Sequence, residues 1–207
     1  MSVMKATRLS SDAFAVAARR LSSNHPELKE LIRRVGAPQL GVRAPSAFQS
    51  LARSIVYQQL AGAAAQTIWR RVLAQTGTPI TSVKLAACSD EELRACGLSA
   101  AKLLALRDLS RLAPSLHLGA FHRLSDDEII ARLVAVRGIG RWTAEMFLIF
   151  HLRRLDVWPA GDLGVKEGIR RLFSLAQRPS DKEMETWGQR YAPYRSVAAW
   201  YMWRVLD

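Results

Sequence analysis

The sequence predicts an all-α fold, and three observations carry that expectation. Ser89/Glu92, Ser125/Glu128 and Ser180/Glu183 form Ser-x-x-Glu capping boxes, each spaced to satisfy the open amides of a helix start. Apolar residues recur at three- and four-residue intervals over long stretches. No run of alternating apolar and polar residues is long enough to read as a strand.

In chain order, Pro26 after Asn24-His25 marks a helix start, because proline fits a first turn whose amides need no intrahelical partner. Ser46 after Pro45 marks another. Leu51, Ile55, Val56 and Leu60, then Ile68 and Val72, fall at helical spacing, with Gly62 as a break. The capped segment 89–96 ends before Gly97, where a left-handed residue closes a helix. Leu103, Leu104, Leu106, Leu109 and Leu112 supply the next apolar face. Gly138-Ile139-Gly140 is a tight turn that opens a helix packed through Met146, Phe147, Ile149 and Phe150. Asp162 stands at the N-cap position of a helix Leu163–Phe173, and Ser180/Glu183 opens the one after it.

A chain of 207 residues, 49% apolar and 23% charged, is globular and holds one generous core or two small lobes. Lys+Arg 30 against Asp+Glu 18 leaves a net charge of +12, and 24 of the 30 are arginine. That excess points to a polyanionic partner suited to forked guanidinium contacts, although a solvated basic surface has the same composition. Cys88 and Cys96 are the only cysteines, which excludes a four-cysteine zinc or iron–sulfur site and suggests small buried residues. His25, His117, His122 and His151 show no ligand spacing. No signal-peptide pattern appears, and no apolar run approaches the roughly 18 residues of a membrane span. A soluble cytoplasmic protein without membrane contact is expected.

The glycine turn carries chemistry. Gly138 and Gly140 permit positive φ and leave their amides uncovered by a β-carbon. Amides at a helix start have no internal partner and sit at the positive end of the dipole. Such a turn seats an anion, and for a basic chain the natural anion is a DNA phosphate. Arg137, Arg141, Thr143 and Lys166 are near enough in sequence to assist. Some twenty residues on, Asp162 is a lone acid framed by Pro159, Gly161 and Gly164. Its local pattern is that of a cap, and a cap beside a cleft is also a charge.

Four ordered blocks resemble the helix-hairpin-helix DNA glycosylases, in particular the 3-methyladenine DNA glycosylase II (alkylation-repair) family. They are Val136-Arg137-Gly138-Ile139-Gly140-Arg141-Trp142-Thr143-Ala144, Ile55-Val56-Tyr57-Gln58-Gln59-Leu60, Leu93-Arg94-Ala95-Cys96-Gly97-Leu98-Ser99, and Pro193-Tyr194-Arg195-Ser196 with Trp200 and Trp203. The similarity spans about residues 45–205. It implies two helical lobes with a central cleft, 45–125 forming one and 1–44 with 126–207 the other, in a minimal form without the sheet domain of larger relatives.

The resemblance also assigns roles. The family's catalytic aspartate falls on Asp162. Base release passes through a sugar cation that one carboxylate can stabilise while it orients or deprotonates water. An N-alkylated purine such as 3-methyladenine or 7-methylguanine is already cationic and leaves without a second acid. Trp142 and Trp203 match pocket positions, and Trp158 is added for its nearness to Asp162; an aromatic face attracts such a cation by roughly 0.5–2 kcal/mol. Trp142 alone would also read as a core aromatic, and Tyr57 as pocket or core. Trp69, Trp187 and Trp200 are assigned to packing, and Met146 stands where some relatives carry an aromatic. The plug that fills the gap of the extruded base falls on Gln59, with Leu60 the more usual wedge and Gln58 beside them; two surface glutamines ending a helix would read alike. Relatives that cut the backbone carry a lysine at the position of Trp142, so the match implies a monofunctional enzyme that stops at the abasic site. No catalytic cofactor is implied, but a sodium or potassium ion on the carbonyls of Val134, Val136 and Ile139 is. The implied partner is double-stranded DNA containing alkylated bases, bound by a monomer. Two rival readings stand beside this one: a non-catalytic helix-hairpin-helix DNA-binding module, and a glycosylase for a different lesion. Leu93–Lys102 faintly echoes the glycine turn, as turn reuse or as a second DNA site.

Overall fold

Twelve α-helices account for the regular structure of residues 11–207, which the computed structural model describes; no strand occurs among these residues. In order they are α1 (Ser11–Asn24), α2 (Pro26–Val35), α3 (Ala47–Tyr57), α4 (Gly62–Thr76), α5 (Ser82–Ala87) and α6 (Asp90–Ala95). Then come α7 (Ala100–Leu116), a 3-10 turn (Leu118–Arg123), α8 (Asp126–Val134), α9 (Arg141–Phe150), α10 (Leu163–Leu172), α11 (Asp181–Arg190) and α12 (Arg195–Arg204). The chain divides into two units, one of residues 42–147 and one of 148–207 with the N-terminal segment up to residue 41. Residues 1–10 of the expected N-terminal lobe lie outside the described residues.

This boundary corrects the expected division at 125/126, because the glycine turn is bonded into the 42–147 unit. Asp108 of α7 accepts the Arg137 amide at 2.8 Å, and Gln58 donates to the Gly138 carbonyl at 2.9 Å. Phe121 and Phe147 meet edge to face at 6.1 Å.

The capping boxes at Ser89, Ser125 and Ser180 all form. Ser46 caps α3, whereas Pro26 opens α2 behind His25, which gives no side-chain cap. The break between α3 and α4 falls on residues 58–61, and Gly62 is the first residue of α4. Two helix starts lack the glutamate of a capping box and escaped the pattern: Thr81 and Ser99 accept the amides of Lys84 and Lys102. In this unit Leu51, Ile55, Val56, Val72, Leu85, Leu93, Leu106, Leu109, Ile129 and Leu133 are fully buried. Each contributes roughly 1.5–3 kcal/mol through apolar surface removed from water. Trp69 packs with them as expected; Cys96 is buried, while Cys88 remains partly exposed.

The other unit is built around α12, whose residues Ser196 to Met202 are all buried, so the helix is enclosed on every side. Phe14, Leu21, Leu28, Leu31, Val165, Ile169 and Met184 pack around it. Helix α10 approaches α12 at backbone distance: a β-carbon on Gly168 would lie 2.3 Å from the Met202 carbonyl oxygen. Arg195 grips Asp156 with Nε at 2.8 Å and Nη2 at 2.9 Å, and Ser196 Oγ accepts the Val157 amide at 2.9 Å. The matched Arg195-Ser196 pair thus fastens the segment that leads to Asp162 onto the start of α12.

Candidate active site and nucleic-acid interface

Helix α8 ends at Val134 and the chain turns through Val136–Gly140 into α9. Val136 and Ile139 are buried, and the Ile139 amide donates to the Val136 carbonyl at 3.0 Å, which pins the turn to the core. Gly138 has φ +78 and faces Ala105, whose β-carbon would be 3.0 Å from any β-carbon placed there. A side chain is therefore opposed both by backbone conformation and by space. The amides of Gly138 and Gly140 make no backbone hydrogen bond among the described residues. The starts of α3, α5, α6, α7, α8, α10 and α11 are closed by a hydroxyl or a carboxylate. At α9 the preceding residue is Gly140, which has no side chain to do so. By contrast the echoing turn at Gly97, also left-handed with φ +100, leads to a helix start where Ser99 accepts the Lys102 amide, so it repeats the turn with a side-chain cap in place.

Of the side chains expected at the phosphate, Arg137 and Arg141 are exposed. Arg141 Nε donates to Glu145 at 3.0 Å, leaving its Nη donors for an outside anion; Glu145, 5% exposed, is a buried partner that sequence reasoning missed. Thr143 is corrected: its side chain is buried and Oγ1 accepts from Gln58 at 3.3 Å, so only its first-turn amide suits a phosphate. Lys166 is corrected too, since its side chain is largely buried and its ammonium pairs with Asp181. The carbonyls expected to bind a cation are a hard oxygen set that suits sodium or potassium by donor type. Val136 O already accepts Ile139 N–H and keeps one lone pair for such an ion. Among the described residues no cluster of His, Cys, Asp and Glu is arranged to hold a metal.

The turn after α3 separates its residues by exposure and bonding. Gln59 has φ +54 and is exposed, and Leu60 is 38% exposed. Gln58 is corrected from the wedge, because its amide nitrogen is committed to Gly138 O and Thr143 Oγ1. Tyr57 is half-buried with Arg53 Cζ 4.0 Å over its ring. Trp142 is 48% exposed on α9 and so is no core aromatic.

Asp162 caps α10 and is 7% exposed. The Val165 amide and Trp203 Nε1–H both donate to its Oδ1 at 2.8 Å. Its own amide donates to Pro159 O at 2.9 Å and its carbonyl accepts the Lys166 amide at 3.0 Å. A β-carbon on Gly164 would sit 2.8 Å from Trp203 Cδ1, so the bare glycine is what admits the indole. Trp203 stacks on Phe150 with centroids 5.7 Å apart and planes at 25°. The helical spacing of Phe150 predicts packing; its 36% exposure instead gives it a free edge beside Trp203. Trp158 is corrected: its Nε1–H donates to Met184 O at 2.7 Å and its ring packs on Gly188 and Tyr191, against the core. Trp200 is buried and Trp187 lies against Phe173, both in packing roles. No helix of the described residues is long and apolar enough to cross a membrane.

The pattern of the HhH-GPD superfamily base excision DNA repair proteins matches residues 52–193. The chain is similar to DNA-3-methyladenine glycosylase 1 of Schizosaccharomyces pombe, at 36% identity over 194 residues, 89% of this chain and 84% of that protein. Its fold is similar to that of a Schizosaccharomyces pombe 3-methyladenine DNA glycosylase in complex with abasic DNA, with TM-score 0.80, 34% identity, and coverage of 91% of this chain and 95% of that one. It is also similar to DNA-3-methyladenine glycosidase from Bacillus halodurans, with TM-score 0.81, 34% identity, and coverage of 95% and 90%.

Proposed function

The chain belongs to the HhH-GPD superfamily of base excision DNA repair proteins, and from that premise we propose that it is a monofunctional glycosylase releasing alkylated purines from duplex DNA. The observation that carries the reading is Asp162, a buried carboxylate held on Oδ1 by a helix amide and an indole N–H. A carboxylate so fixed meets a developing sugar cation without having to reorganise. It also orients, or takes a proton from, the attacking water. The base itself, 3-methyladenine or 7-methylguanine, departs as a cation becoming neutral and needs no acid. Trp203 and Phe150, stacked on each other, supply electron-rich faces for it.

The hairpin amides of Gly138, Gly140 and the first turn of α9 take a backbone phosphate, with Arg137 and Arg141 assisting. Gln59 and Leu60 fill the gap left by the extruded nucleotide. A sodium or potassium ion on the carbonyls of Val134, Val136 and Ile139 would add positive charge beside that phosphate. The reaction stops at the abasic site, because Trp142 has no amine and Lys166 is paired with Asp181. The protein works as a monomer in the compartment that holds chromosomal DNA. A purely non-catalytic clamp would need the cap at Asp162 but has no use for the indole N–H held on the same oxygen.

Base release from duplexes carrying single defined lesions, with borohydride present in a parallel reaction, tests this. Release of 7-methylguanine and 3-methyladenine, strand breaks only after hot alkali, and no trapped protein–DNA adduct are expected. Release of deaminated or mismatched bases alone contradicts the lesion assignment; an efficient adduct contradicts the monofunctional one.

A further inference from the structure

Gln59 is held in a left-handed conformation, φ +54, that residues with a side chain rarely adopt. Something on either side must fix it. On the N-terminal side, the Val56 carbonyl at the end of α3 accepts Lys102 Nζ at 2.7 Å, a partly buried contact. Next to Gln59 itself, the Gln58 side-chain nitrogen donates to Gly138 O at 2.9 Å and to Thr143 Oγ1 at 3.3 Å. A carbonyl can only accept, so the amide orientation of Gln58 is fixed by chemistry.

Helix α7 backs both turns. Lys102 holds the end of α3, Ala105 lies under Gly138, and Asp108 accepts the Arg137 amide. These three positions are spaced three apart and share one helix face. The plug turn and the phosphate turn are therefore mounted on the same side of one helix, and Gln58 is the direct tie from one to the other.

From this geometry we propose that Gln58 is a positioning residue, a strut that couples seating of the backbone phosphate to presentation of the plug at Gln59 and Leu60. The inference rests on the glycosylase reading and deepens it. A phosphate taken by the amides of Gly138 and Gly140 orders the turn whose Gly138 carbonyl and Thr143 hydroxyl Gln58 holds. That order passes through the Gln58 amide to the backbone of Gln59. Binding energy at the phosphate is thereby used to keep the nucleotide extruded. The strut touches neither base nor sugar, so its loss should matter only where extrusion is costly.

The test compares single-turnover release of 7-methylguanine from a fully paired duplex and from a one-nucleotide bulge, where unpairing costs little. Wild-type protein is set beside Gln58→Ala and Gln58→Met, the second of which keeps the length of the side chain without its donor. For both variants the paired rate should fall about ten-fold, the scale of one lost hydrogen bond, while the bulged rate falls less than about three-fold. Equal losses on the two substrates, or no loss on the paired one, overturn the strut. Wild-type protein that releases no base from either substrate overturns the glycosylase reading and the strut's part in base release with it.

Discussion

Trp203 Nε1–H reaches Asp162 Oδ1 at 2.8 Å across 41 residues of sequence. Two bare glycines on α10 make that contact geometrically available: Gly168 lets the α12 backbone close on α10, and Gly164 leaves room for the indole edge. The carboxylate is thus aimed by the packing of two helices and not by its own loop alone. Trp203→Phe keeps an aromatic ring and deletes the donor. Excision should fall about 10- to 100-fold, the range of a hydrogen bond to a charged group. The loss should appear in kcat for 7-methylguanine release with little change in affinity for undamaged duplex. Retention of full kcat would reduce the indole N–H to a packing detail.

Gly140→Asp separates stability from binding. Its β-carbon meets nothing within 4 Å, and an aspartate before α9 supplies the missing cap. Denaturant unfolding should show unchanged or raised stability, by up to about 1 kcal/mol. Affinity for undamaged duplex should drop for every sequence, because the new carboxylate occupies the phosphate seat, and the salt dependence of binding should become shallower. A variant that binds DNA as tightly as wild type would remove the hairpin from DNA contact.

Asp108 makes the hairpin acid-sensitive. The Arg137 amide, then the Arg111 guanidinium, hold its carboxyl below the ordinary 3.8. A depressed folded pKa contributes stability that is present above the unfolded value and lost as pH falls through the folded one. Wild-type protein should therefore lose more stability than Asp108→Asn as pH is lowered from about 4 downward, the two curves converging in acid. Melting curves recorded in that window check it; parallel curves would mean the Asp108–Arg137 contact is not held in solution.

What the sequence discloses is local. The Ser-x-x-Glu boxes, the Gly138 turn and the Asp162 cap are each written within a few residues, and each forms as its spacing requires. Thr81 and Ser99 cap their helices without the glutamate that makes a box visible, so α5 and the start of α7 went unread. Contacts with distant neighbours are not written in the local pattern. Gln58 lies in the turn to which the resemblance assigns the plug, yet its partners are 80 and 85 residues away. Trp158 looked like a pocket wall because it lies near Asp162, yet its N–H is spent on Met184. Phe150 was hidden for the opposite reason, since an apolar residue on a helix face signals burial until Trp203 is seen stacked on it. Lys166 carries the charge a phosphate wants, but Asp181, fifteen residues on, takes it.

Asp162→Asn tests the central claim most directly. Asparagine retains the oxygen that accepts the Val165 amide and the Trp203 indole, so the fold should change in stability by no more than about 1 kcal/mol. It lacks the negative charge that meets the sugar cation, a loss worth at least about 10²-fold in rate. The measurement is single-turnover release of 7-methylguanine from duplex DNA, with thermal unfolding of the same preparation. The account predicts a variant that melts with wild type, binds DNA at least as well, and releases base at least about a hundred times more slowly. A variant that melts with wild type and still releases base at near wild-type rate would make Asp162 a helix cap only and contradict the account.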